Sequence, residues 1–178
     1  MAAKVCDNKS VGQIVMRGND ILIIERKNYP EAFALPAGHM DADTDWQKAA
    51  TRECEEEAGV NVVGNRRVFS EIIDNPCKRN GGNHHEWKVF AADHFEGEPA
   101  AGSDAKAYRW ATPEELDKMA RRTEYFIKKY DIPGTQVGKL TVAIFGADPA
   151  LKQTDPEWKE EMGLEPVWYY MLRKIGMI

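Results

Sequence analysis

The sequence predicts an α+β fold in which a mixed β-sheet is sandwiched between helices (α/β/α), and three observations carry that reading. Runs rich in β-branched and aromatic residues at 11–17, 21–26, 61–73 and 86–95 have strand character. Two polar stretches open with helix-start chemistry, at Asp45 and at Thr112-Pro113-Glu114-Glu115. Strands and helices alternate along a chain with no internal repeat or low-complexity segment, the pattern of a layered domain.

Residues 11–17 (VGQIVMR) and 21–26 (ILIIER) flank Gly18-Asn19-Asp20, so the pair reads as a hairpin. Residues 29–44 hold two prolines, a glycine and three aspartates and read as a loop. A helix should start at Asp45 and end near Ala58, with Gly59 at its C-terminus. The strands at 61–73 and 86–95 are joined by the polar, basic loop DNPCKRNGGNHH, and 107–111 forms a short strand. The helix that starts at Thr112 stops before Pro133. Beyond it, LTVAIF (140–145) reads as a strand and 155–174 as a last helix that Pro166 breaks or restarts. Residues 1–132 are thus expected to form the core, with 133–178 an extension packed on the same domain. In that extension the apolar residues Val167, Trp168, Tyr169, Tyr170 and Leu172 could pack on the core or form a homodimer contact, and core packing is the expectation.

The chain has 178 residues, of which 43% are hydrophobic and 30% charged, a balance typical of folded domains. At this length roughly two-thirds of the unfolded surface can be buried, so neither a disulfide nor a structural metal is required for stability. The 24 Lys and Arg against 29 Asp and Glu give a net charge of −5, which argues against a dedicated nucleic-acid binder. No apolar run approaches the roughly 20 residues that span a bilayer, so no membrane partner is expected. MAAKVCDNKS lacks the apolar core of a signal peptide, and a cytoplasmic location is expected. Cys6, Cys54 and Cys77 form no CxxC pair and read as reduced thiols rather than a zinc site or disulfide framework.

The informative stretch is Gly38–Val60 (GHMDADTDWQKAATRECEEEAGV). On a helix, Glu53, Glu56 and Glu57 fall at i, i+3 and i+4 and share a face. Converging carboxylates repel, and a hard divalent cation, Mg²⁺ or Mn²⁺, would relieve them. Arg52 stands beside this face and can hold one carboxylate through a bidentate pair. Taken alone, such a run is more often a solvated acidic helix face.

The stretch resembles the signature of the Nudix hydrolase superfamily, G-x5-E-x7-R-E-U-x-E-E-x-G-U, with U a bulky apolar residue. Gly38, Arg52, Glu53, Glu56, Glu57, Gly59 and Val60 are in register, with Cys54 at the first U position. Leu35-Pro36-Ala37-Gly38-His39 is similar to the LPGGH lead-in, Arg109-Trp110 and Pro113-Glu114-Glu115-Leu116 to a downstream segment, and Gly163–Trp168 to a tail of some members. The departure is Thr44, which stands where the first Glu of the box belongs; Asp41, Asp43 or Asp45 could substitute from a shifted position.

The resemblance implies the Nudix fold and a metal-dependent pyrophosphohydrolase. Its substrate would be a small-molecule nucleotide: a nucleoside diphosphate linked to a group X, of ADP-ribose or ADP-sugar type, or a nucleoside triphosphate. The products would be a nucleoside monophosphate and phospho-X. The metal set implied is Gly38 (through its carbonyl), Glu53, Glu56, Glu57 and an acid from the loop before Trp110, for which Asp104 is the candidate. Glu53 would be a ligand or the base that orients water, with Arg52 beside it; Glu98 is a reserve ligand. Substrate-binding candidates are Arg26, Lys78 and Arg79 for phosphate, and Tyr29 and Phe33 for a nucleobase. Trp87 and Trp110 read as core, and His39 as a packing or hydrogen-bonding residue. Pro76, 16 residues after Val60, sits at a spacing associated with ADP-ribose and ADP-sugar pyrophosphatases, although the short stretch before the first strand lacks the extra N-terminal unit of the larger ADP-sugar enzymes. Two alternatives stand beside this reading. One is a Nudix-fold nucleotide-binding or regulatory module without turnover, for which Thr44 is the support. The other is an RNA-end processing hydrolase using a basic face of Lys78, Arg79, Arg121, Arg122, Lys128 and Lys129.

Overall fold

The computed structural model describes residues 4–102 and 104–178. Met1–Ala3 and Ser103 fall outside the described residues, so the reading of the first ten residues rests there in part on sequence alone. Two four-stranded sheets form the framework. In the first, the order is β5 (Ala37–His39), β1 (Lys9–Ile14), β7 (His85–Glu96), β6 (Asn61–Ile73). β1 runs parallel to β7 and antiparallel to β5, and β6 and β7 form a long antiparallel ladder. In the second, β3 (Asp20–Arg26) pairs with β2 (Met16–Arg17), β4 (Phe33–Ala34) and β8 (Ala105–Ala111).

Helices cover both faces of the first sheet, and β1 shows why. Neighbouring strand residues point to opposite faces. Val11 packs in a cluster with Ala49 and Ala50 of α1 (Trp46–Ala58), whereas Gly12 faces the indole of Trp168 on α5 (Pro166–Ile175). α1 starts at Asp45, whose side chain accepts the N–H groups of Gln47 and Lys48, and closes on Gly59 in the left-handed conformation. α2 (Pro113–Tyr130) opens with the full capping box of Thr112 and Glu115. A second apolar cluster joins α2 to α3 (Val137–Phe145) and α4 (Pro156–Glu160) through Phe126, Leu140, Ile144, Phe145 and Trp158. Among the described residues, no helix is long and apolar enough to cross a membrane.

Three expectations are corrected. LTVAIF is helical: the buried positions Val137, Leu140, Thr141, Ile144 and Phe145 repeat at helical spacing once the count starts before Leu140. The expected 11–17/21–26 hairpin is confined to β2–β3, because β1 leaves for the other sheet and pairs with β5 and β7. The loop at 29–44 contains two short strands, β4 and β5, that stitch it to both sheets. Pro166 does restart the chain as a new helix, α5.

The C-terminal elements are anchored by charge as well as by apolar contact. Asp155 caps α4 and takes bonds from Lys129 Nζ at 2.9 Å and from the Tyr130 hydroxyl. Burial alone would raise the Asp155 pKa, but those hydrogen bonds hold it at about 2. A depressed carboxylate stabilises the fold above its unfolded pKa and loses that contribution as pH falls through its folded value. Asp155→Ala should therefore cost about 2–3 kcal/mol, a Tm drop of roughly 4–10 °C in thermal denaturation at neutral pH. The difference between wild type and variant should shrink as pH falls from about 4 towards about 2.

Candidate active site

α1 does not present its three acids equally. The Glu53 side chain is 12% exposed and that of Glu56 58%. Glu57 points inward and accepts the N–H of Ala37 at 2.9 Å. Burial pushes the Glu57 carboxyl up to about 7, against the pull of Arg26 and of the Ala37 N–H. Burial likewise raises Glu53, against Arg52. The helix reaches this close to β5 because position 38 is glycine: a Cβ there would overlap the Glu53 carboxylate.

Arg52 holds the acidic face together. Its Nε donates to Asp43 Oδ2 at 2.8 Å and its Nη1 to Glu53 Oε1 at 2.8 Å and Glu56 Oε2 at 3.1 Å. Its Nη2 donates to the His39 carbonyl at 3.0 Å. Asp43 is thus the carboxylate that meets Arg52 in a box whose Glu position holds Thr44. Of the other two candidates, Asp45 is used as the α1 cap and Asp41 is paired with Arg79 and, at 2.9 Å, with Lys4. Thr44 lies in a separate surface groove with Trp46 and Lys88.

A single cleft is lined by Gly38, Glu53, Glu57 and Asp104 together with Arg26, Tyr29, Lys78 and Arg79. Arg26 comes from the end of β3 and is tied to Glu165 at 3.2 Å and to the Tyr29 carbonyl at 3.3 Å. Burial opposes the Arg26 charge, and Glu165, Glu57 and Asp104 maintain it. Tyr29 is fixed by its hydroxyl, which donates to the Gly146 carbonyl at 3.0 Å. Asp104 accepts from Asn28 Nδ2 at 2.9 Å.

Three candidates from the sequence, Phe33, Glu56 and the reserve ligand Glu98, stand elsewhere. Phe33 is outside the cleft: β4 turns its ring onto the Arg109 guanidinium, 4.9 Å from the ring centre, and against the core. Glu56 is tied to Arg52 on the outer side of the helix and does not line the cleft. Glu98 is an exposed residue paired loosely with Arg17 at 3.7 Å. Conversely, Glu165, Asn28 and Asn75 line the cleft without having been singled out. For Glu165 the signal was the closing Gly163–Trp168 segment; Asn28 and Asn75 carried none.

A family model described as NUDIX domain matches residues 8–130. The chain belongs to the Nudix family. This Nudix hydrolase is 33% identical over 123 residues to an ADP-ribose pyrophosphatase of Methanocaldococcus jannaschii, an alignment covering 68% of this chain and 71% of the relative. Among solved structures it is similar to a MutT NUDIX hydrolase from Burkholderia pseudomallei, with TM-score 0.53 and 26% identity over 61% of this chain and 84% of that one. It also shares its fold with a mutator MutT protein from Bacillus halodurans, with TM-score 0.53 and 20% identity over 67% and 79% of the two chains. Box, fold and relatives agree on a Nudix pyrophosphohydrolase.

The Arg52 network predicts a positioning role for Asp43. Asp43→Ala should lower kcat by roughly 10–100-fold with a smaller change in KM, because the guanidinium that orients Glu53 loses its anchor. Thr44→Glu should leave both constants near wild type, since position 44 faces the other groove. Steady-state kinetics on a nucleoside diphosphate derivative reads both.

Proposed function

We propose that the cleft hydrolyses the diphosphate linkage of an ADP-ribose- or ADP-sugar-type substrate, with Mg²⁺ or Mn²⁺ as the cation. The observation that carries this reading is the crowding of Glu53 against Gly38 and of Glu57 against Ala37 in the same cleft as Arg26, Lys78 and Arg79. In this reading the hard anionic oxygens take the cation and the cationic side chains take the diphosphate. The relative named ADP-ribose pyrophosphatase and the presence of Pro76 in the cleft wall support the substrate class.

The donor set fits a hard divalent cation. Glu53 and Glu57 are carboxylates whose burial disfavours their charged form, which a cation beside them would restore. Glu53, Glu57, the Gly38 carbonyl and Asp104 would hold it, joined by Glu56 if that side chain turns inward. When bound, such a cation neutralises the diphosphate and activates water for attack on phosphorus. Arg52 fixes the rotamer of Glu53, which takes the proton of the attacking water or orients it. Lys78 has no ion-pair partner among the described residues and is available for phosphate. Tyr29 offers a ring already fixed at its hydroxyl for contact with the base.

Residues 1–132 and 133–178 act as one unit in this reading, because Glu165 from the second part buttresses Arg26 in the cleft. The intact Glu53, Glu56 and Glu57 favour turnover over a binding-only module. The basic face required by RNA-end processing is largely spent. Arg121 pairs with Asp117, Arg122 with the carbonyls of Glu157 and Glu161, and Lys129 with Asp155 and Glu157.

Glu57→Gln and Glu53→Gln should each lower kcat by about 10²–10⁴-fold, with Tm close to that of wild type. Across ADP-ribose, ADP- and UDP-sugars, nucleoside triphosphates, dinucleoside polyphosphates and capped RNA, ADP-ribose or an ADP-sugar should be turned over best. It should yield AMP and the phosphosugar only when Mg²⁺ or Mn²⁺ is supplied. Preference for a triphosphate or capped RNA would reject the substrate class; full activity without a divalent ion would reject the cation.

A further inference from the structure

Four soft donors from four separate stretches of chain meet beside the cleft. Cys6 precedes β1, His39 ends β5, Cys77 lies in the loop after β6, and His85 opens β7. One donor atom from each lies within 4.8 Å of all the others. Cys6 Sγ is 3.2 Å from His85 Nε2, 3.4 Å from His39 Nε2 and 3.7 Å from Cys77 Sγ. A tetrahedral zinc ion with bonds of about 2.3 Å to sulfur and 2.0 Å to nitrogen has sulfur–sulfur edges of about 3.8 Å and sulfur–nitrogen edges of about 3.5 Å. The three edges that start at Cys6 are already close to those lengths, and the other three lie within 4.8 Å.

We propose that Cys6, His39, Cys77 and His85 form a structural Cys2His2 zinc site that fastens the N-terminal stretch to the wall of the active cleft. The surrounding groups are arranged as around a metal. His85 Nδ1 faces the Asn75 backbone and side-chain oxygens, both at 3.1 Å, so it carries the proton and leaves the Nε2 lone pair for the cluster. Asn75 is in turn fixed by the Trp87 indole N–H at 3.0 Å. Cys6 Sγ accepts the N–H of Asn8 at 3.3 Å and Cys77 Sγ that of Arg79 at 3.4 Å. Each sulfur thus receives the amide two residues on, and burial pushes the Cys77 thiol up to about 11 against the Arg79 N–H, a penalty that a cation beside the sulfur would relieve.

The backbone holds the two cysteine-bearing segments in place. The Cys6 N–H donates to the Asn80 carbonyl at 2.9 Å and the Asn80 N–H to the Lys4 carbonyl at 3.1 Å. The Cys77 N–H donates to the Gly82 carbonyl at 2.9 Å, and a Cβ at Gly82 would overlap the Cys77 sulfur. Two thiolates balance the dication, and binding releases their two protons. The donors separate this site from the hard-oxygen set on α1: sulfur and imidazole select zinc over magnesium. A disulfide between Cys6 and Cys77 would leave the two histidines and the Asn75 relay without a purpose.

The test uses full-length protein reconstituted with zinc under reducing conditions and freed of loose metal by gel filtration. Elemental analysis should find one zinc per chain. Cobalt in place of zinc should give the visible bands of a tetrahedral ion with thiolate charge transfer in the near ultraviolet. Cys6→Ser should lose both signals, whereas Cys54→Ala, which alters a cysteine on α1 outside the cluster, should keep them. Removing the zinc with a chelator should lower Tm by roughly 5–15 °C. No retained zinc in wild type, cobalt without thiolate charge transfer, or loss of zinc in Cys54→Ala would overturn the proposal. The wild-type metal and cobalt measurements decide the matter even if Cys6→Ser does not fold.

Discussion

The approach of α1 to the short strand β5 is the constraint on which the site depends. The buried face of α1 is Ala49, Ala50, Cys54 and Ala58, all small, so the helix axis can sit close to the sheet. Gly38 removes the last obstruction. Two helix-borne groups then reach the strand backbone: Glu57 meets the Ala37 N–H and Arg52 the His39 carbonyl. A bulkier helix face or a side chain at position 38 would move the carboxylates outward into water, where their mutual repulsion would cost little and they could be of little use.

Charge is distributed so that no acid in the cleft is left alone. Arg52 serves Asp43, Glu53 and Glu56 on the outer side, and Arg26 serves Glu165 on the inner side, with its field reaching Glu57 and Asp104. Both arginines are themselves tied to a backbone carbonyl. Guanidiniums bonded in this way order their surroundings. Glu53 and Glu57 therefore face the cleft in defined positions although burial raises the pKa of both carboxyls.

Local chemistry was the readable part of this fold. Asp45 and Gly59 mark the ends of α1, and Thr112, Pro113 and Glu115 mark the start of α2, because caps act over three or four residues. The register of the box also groups Gly38, Glu53 and Glu57, which line one cleft. What escaped was set by distance along the chain. β1 pairs with β7 across more than seventy residues, which turn chemistry at Gly18-Asn19 cannot announce. LTVAIF has strand composition, and only its burial between α2 and α5 makes it helical. The same limit hid the relation of Cys6 to Cys77 and of Arg26 to Glu165: neither pair has a spacing motif, and each exists only once distant segments are folded against each other.

The Arg26–Glu165 pair also fixes an order of events. During synthesis the box and all the framework strands leave the ribosome before residue 165 does. Until then Arg26 faces Glu57 and Asp104 without its inner partner, and the second layer of the first sheet, supplied by Trp168, is missing. That side of the cleft is therefore completed only once Glu165 and α5 have been made and packed against β3 and β1.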